Sequence, residues 1–256
     1  MTEARTGSRL TSTPGLSATV GILMVIVVWQ VAVIVLDLPN YVLPSPWEIL
    51  AEADWPEVAR STGITSIAVL LGFVAGNLAG FLLAVLAAAS LVASGIIQPI
   101  SVTLRSVPVI AIAPLLTLYL GRGIVVTVAV GALIVFFPTL VNMLLGLRST
   151  EREALELMRI LDCSPMQAFW TVRLPASMPY FVAALRIAAP AAVLGVMVAE
   201  WVVGGDGLGQ LILRSSMFIE YPTMWGAVIA SACLAGLMFV LVTVLERVLI
   251  PWQTRR

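Results

Sequence analysis

The sequence has no histidine and no lysine; all 14 basic residues are arginine, and 14 carboxylates balance them to a net charge of zero. Without histidine it lacks the commonest metal ligand and the usual acid–base group near neutral pH. Cysteine occurs only at Cys163 and Cys233, too few for a disulfide framework, and both read as small apolar fillers. No run of basic residues suggests nucleic acid, and no G-x-x-x-x-G-K-[ST] loop suggests bound nucleotide. With no paired intramembrane carboxylates either, nothing points to a reaction catalysed by this chain.

What the sequence has is hydrocarbon. Of 256 residues, 60% are hydrophobic and 11% charged, with a mean hydropathy of +1.05. A soluble domain cannot hide that much apolar surface, so the predicted class is all-α and polytopic, with about six transmembrane helices of ~20 residues each. The predicted organisation is a disordered tail over 1–18, one membrane domain over 19–252, and a short tail over 253–256. The spans fall at about 20–36, 64–89, 96–120, 124–147, 181–203 and 225–245.

Several local signals sit between and within these spans. Residues 37–61 read as a short, acidic outer helix, with Ser45, Pro46 and Glu48 as a capped start and Trp47 and Trp55 suited to a membrane interface. Gly72, Gly76 and Gly80 form a small-xxx-small stripe for close helix contact. Pro108 and Pro114 interrupt the third span. Arg105 beside them either faces the bundle interior or snorkels to the cytoplasmic end. Gly121-Arg122-Gly123 makes a tight turn, and Phe136-Phe137-Pro138 a bend. Arg186, Pro190 and Glu200 lie in the fifth span, and 204–221 reads as a re-entrant or interfacial element.

The long polar interval is 150–179, TEREALELMRILDCSPMQAFWTVRLPASMP. Thr150 and Glu153 spell a capping box, and Ala154, Leu157, Met158 and Leu161 follow as one apolar stripe. Arg152 and Arg159 stand at ion-pair spacing from Glu156. A second helix is predicted from Ser164, Pro165 and Gln167, ending at Leu174-Pro175. The pattern fits a docking surface or a connector lying on lipid headgroups, and about 30 residues is long for a connector. With the N-terminus inside, nine arginines fall on inner segments and three, Arg60, Arg122 and Arg214, on outer ones, which places 150–179 in the cytosol.

The interval resembles the EAA loop of ATP-binding-cassette (ABC) importer permeases. Glu156 takes the Glu of that pattern, Asp162 its Gly, Val172 its Ile, and Leu174-Pro175 its closing Leu-Pro; Leu157 and Met158 replace two alanines. Aspartate tolerates the left-handed turn that the glycine permits. LPSPWEIL, SVPVIAIAPLL, DGLGQLI and LERVLIPW extend the resemblance over about 38–252, to the nitrate-, sulfonate- and taurine-type permeases.

The resemblance implies a binding-protein-dependent permease in the bacterial plasma membrane, with both termini cytoplasmic. Its implied partners are two ABC ATPase subunits, a second permease subunit in a homo- or heterodimer, an extracytoplasmic solute-binding protein and membrane lipid. ATP and Mg would be bound by the ATPase and no cofactor by this chain. Glu153, Glu156, Leu157, Met158, Arg159, Leu161, Asp162, Leu174 and Pro175 are the implied ATPase-coupling residues. Arg105, Pro108 and Glu200 are candidates for the translocation pathway, with ordinary bundle packing as the alternative for each. The implied cargo spans sulfonates, nitrate, taurine, pyrimidines, riboflavin and aromatic acids. A competing reading is an ion-coupled secondary transporter, but its midplane ion-binding groups are nearly absent and the inner loop would be idle.

Overall fold

A computed structural model describes residues 14–89 and 108–250. Arg105, the first half of the third predicted span and both chain ends lie outside the described residues. Those described form helices and no strand: α1 (Pro14–Val35), α2 (Pro46–Glu52), α3 (Trp55–Ala89), α4 (Val109–Leu120), α5 (Ile124–Arg148), α6 (Arg152–Ile160), α7 (Pro165–Ala168), a π-helical turn (Phe169–Arg173), α8 (Leu174–Val203), α9 (Leu208–Met217) and α10 (Tyr221–Leu249).

Among the described residues, four helical stretches are long and apolar enough to cross a membrane: Trp55–Ala89, Ile124–Arg148, Pro165–Val203 and Tyr221–Leu249. They correspond to the second, fourth, fifth and sixth predicted spans. The first corresponds to α1, and α4 covers the end of the third.

The predicted outer helix over 37–61 is in fact two pieces. Ser45 caps α2 in a reciprocal box with Glu48, and the Ser45 N–H bond holds the Glu48 carboxyl below its usual range. The chain then restarts at Trp55, where the Asp54 carboxylate accepts the Glu57 N–H at 3.1 Å. That second cap begins α3 nine residues before the predicted span.

The core lies where α3, α5, α8 and α10 meet, around Val69, Val135, Val193 and Val196. Helix α3 runs parallel to α5, and the glycine stripe sets their separation. A Cβ on Gly76 would stand 2.2 Å from the Ala132 carbonyl oxygen, so only glycine lets the two backbones touch. Helix α8 runs antiparallel to α5, with Gly195 under Ile134 at one end and Gly146 against Ser177 and Tyr180 at the other.

This arrangement gives the bundle two ends. One gathers α2, the 121–123 turn, the 204–207 loop and α9; the other gathers the C-termini of α5 and α10 with the whole 150–179 segment.

Candidate coupling surface

Thr150 does not cap α6 as predicted. Its hydroxyl turns back to the Leu147 carbonyl at 3.4 Å, and Glu151 occupies the cap position without a side-chain bond. The α6 start therefore depends on its neighbours more than on a local box. Its end is better defined. The Cys163 N–H reaches the Met158 carbonyl at 3.0 Å and the Asp162 N–H the Arg159 carbonyl at 3.1 Å. With Asp162 at φ 50°, this is a Schellman motif with aspartate in the usual glycine position. The left-handed turn expected at Asp162 is formed.

Ser164 begins the next helix as predicted: its hydroxyl accepts the Gln167 N–H and Gln167 accepts the Ser164 N–H in return. The predicted stop at Leu174-Pro175 does not occur. The Leu174 N–H bonds the Phe169 carbonyl, five residues back, across the π-helical turn. This wider turn admits a proline that has no N–H to give, and α7 continues through Pro175 and Pro179 into α8.

The apolar stripe is divided differently from the prediction. Ala154, Leu155 and Met158 are half-buried. Leu157, Ile160 and Leu161 remain 55%, 78% and 62% exposed. They share the outward side of α6 with the exposed Glu153 and Glu156. Among the described residues, neither Arg152 nor Arg159 is ion-paired with Glu156. On the inward side, Leu155, Met158, Arg159, Cys163, Pro165, Ala168 and Arg173 line a cleft of about 180 Å³. Leu174 and Pro175 are half-buried where the segment joins the bundle.

The pathway candidates are not gathered with this surface. Pro108 is the exposed residue ahead of α4. Glu200 lies at the opposite end of the bundle, 2% exposed. Its carboxylate accepts the Thr65 hydroxyl at 2.9 Å and the Gly209 N–H at 2.8 Å. The Thr65 oxygen in turn accepts the Leu208 N–H at 2.8 Å. A Cβ on Gly207 would fall 2.0 Å from the Glu200 Oε1, and one on Gly209 2.3 Å from the Met197 carbonyl oxygen. The DGLG run is thus a seat for Glu200, a relation invisible in sequence because the partners are far apart in the chain.

A second feature missed in the sequence is the Arg186–Glu246 ion pair, which ties α8 to α10. Among the described residues no cluster of three or more His, Cys, Asp or Glu could hold a metal.

Residues 76–255 match the family model described as binding-protein-dependent transport system inner membrane component. A probable ABC transporter permease protein of Haemophilus influenzae is 34% identical, over 82% of this chain and 86% of its own. The formylaminopyrimidine transport permease protein ThiX of Halalkalibacterium halodurans is 32% identical over 94% and 97%. The putative aliphatic sulfonates transport permease protein SsuC of Bacillus subtilis is 29% identical over 90% and 85%. Among solved structures, an amino acid ABC transporter crystallised with histidines superposes with a TM-score of 0.54 at 18% identity, covering 78% of this chain and 94% of that one. That likeness is one of fold.

Proposed function

The chain belongs to the family of binding-protein-dependent transport system inner membrane components and is a multi-pass permease subunit of an ABC importer; from that premise we propose that the 150–179 segment is where an ATPase subunit grips it. The observation that carries this reading is the exposed row Leu157, Ile160 and Leu161, flanked by Glu153 and Glu156. Leucine and isoleucine held in water on a short helix, framed by carboxylates, form a surface suited to burial against a partner.

In this reading the segment lies in the cytosol, as do both termini, in keeping with the arginine distribution. Two ATPase subunits hold ATP and Mg, and one sits under each of two permease subunits. A solute-binding protein delivers a small solute at the opposite end. ATP closes the ATPase pair, the closing subunits carry α6 with them, and the spans rock from inward- to outward-facing. The Schellman turn at Asp162 and the Ser164 cap keep α6 and α7 at a fixed angle, so a displacement of one moves the other.

Arg105 and Pro108, in the third predicted span, are proposed to border the pathway. The chain itself contributes position and shape; hydrolysis belongs to the partner. Relatives named for a formylaminopyrimidine and for aliphatic sulfonates match at similar identity, so the reading takes cargo choice to reside largely in the binding protein.

Co-purification tests the grip. Leu157→Asp combined with Leu161→Asp is expected to release the ATPase from the solubilised complex with the permease still in the membrane. Full retention of the ATPase by that variant overturns the assignment.

A further inference from the structure

The two ends of the molecule are joined by one uninterrupted rod. Helix α7, the π-helical turn and α8 run as a single 39-residue stretch, Pro165–Val203. At 1.5 Å per residue, the helical path from Pro165 to Glu200 is about 50 Å long, more than the thickness of a bilayer with its headgroups. The lower end of the rod emerges from the Asp162 turn, directly beyond α6. The upper end carries Glu200.

Glu200 is the point where the rod holds the outer helix α9. Its carboxylate takes the Gly209 N–H, in the first turn of α9, and the Thr65 hydroxyl of α3. The same hydroxyl accepts from Leu208, the first residue of α9. Three helices therefore converge on two side chains, all of it buried. The grip is steric as well as polar, because Gly207 and Gly209 leave no space between the α9 start and the rod. Away from this start, α9 ends in an exposed apolar tip, Met217, Phe218 and Ile219, each 69% exposed, with Ile219 held at φ 65°. A β-branched residue in that conformation is strained and needs its surroundings to hold it there.

We propose that Glu200 is a positioning residue for transport: it latches α9 to the rod, so that displacement of the cytoplasmic segment is delivered to the outer face as movement of α9. This rests on the coupling reading of 150–179. It gives Glu200 a role beyond bordering the cavity of about 200 Å³ that it lines with Ile64, Thr127 and Asp206, since both carboxylate oxygens hold other helices.

The test uses the permease assembled with its ATPase in lipid nanodiscs, in a Cys163→Ser/Cys233→Ser background. An environment-sensitive fluorophore is attached through Met166→Cys, at the exposed lower end of the rod, or through Ser216→Cys, on the exposed part of α9. ATP with vanadate supplies the trigger. Both labels are expected to respond in the parent. In Thr65→Val, close to isosteric, the lower response should persist while the outer response falls about tenfold, the scale of one lost charge-assisted hydrogen bond. Glu200→Ala should do the same, and Thr65→Ser should restore the parent response.

An outer response that survives in both Thr65→Val and Glu200→Ala overturns the latch. So does equal loss at both labels in Thr65→Val with the ATPase still bound, because that marks Thr65 as general packing. A lower label silent in the parent sinks the coupling reading instead.

Discussion

The two ends of this bundle treat their polar groups in opposite ways. At the end holding α2 and α9, several charges are satisfied within the protein. Glu57 accepts from both Arg60 and Arg214, Glu48 closes its cap, and Glu200 is fully engaged. At the end holding α6, Arg152, Glu153, Glu156 and Arg159 form no ion pair among the described residues, and large apolar side chains face outward beside them. The α9 end shows apolar side chains too, at Met217, Phe218 and Ile219, so what sets the α6 end apart is that the charges beside its apolar row have no partner among the described residues. In the reading proposed above, the lasting subunit contact falls at the α6 end and passing encounters at the other.

The sharpest way to break this contrast is at α6. Leu157→Asp with Leu161→Asp should lower ATPase retention by more than about a hundredfold, at roughly 1.5–3 kcal/mol for each leucine no longer buried. The thermal midpoint of the permease alone should move little, because both side chains are already more than half exposed. Next comes Glu156→Lys, expected to cut ATP-driven uptake about tenfold through charge reversal in a partly desolvated contact, with insertion unchanged. Uptake at the parent rate would remove Glu156 from the interface.

Smaller effects are expected at the other end, and they should appear in stability. Gly209→Ala would ordinarily favour a helix, but here its Cβ meets the Met197 carbonyl. The expected loss is about 1–3 kcal/mol, read as a drop of about 5 °C in the melting of detergent-solubilised protein. Arg214→Ala is the mildest. The pair with Glu57 is solvent-exposed on the arginine side, so the change should stay within ~1 kcal/mol. A larger drop would mean that the outer ion pairs organise the bundle rather than decorate it.

The sequence made the local devices of both ends legible. Ser45 and Ser164 cap their helices as their spacing predicted, Asp162 adopts the left-handed turn, and the glycine stripe is where α3 meets α5. Each depends on residues within a few positions or on one repeat. Thr150 does not cap α6 because the helix starts one residue later, with Glu151 at the cap position, and the Thr150 hydroxyl donates back to the Leu147 carbonyl instead. The Leu-Pro stop failed because a one-residue bulge in the hydrogen-bond ladder makes room for a proline, and no side-chain pattern announces that bulge. The Glu200–Thr65 and Arg186–Glu246 contacts span 135 and 60 residues. They are decided by how helices pair, which composition and spacing do not encode.

The interlocked seam between α3 and α5 limits how the protein can change shape. With the Gly76 and Ala132 backbones this close, a shift of either helix along its axis would drive side chains into main chain. Shear between these two is therefore closed off, and they must travel as one plate. Opening to either side of the membrane then becomes a matter of tilting whole plates against each other, which helps a small push at one rim become a wide excursion at the opposite one.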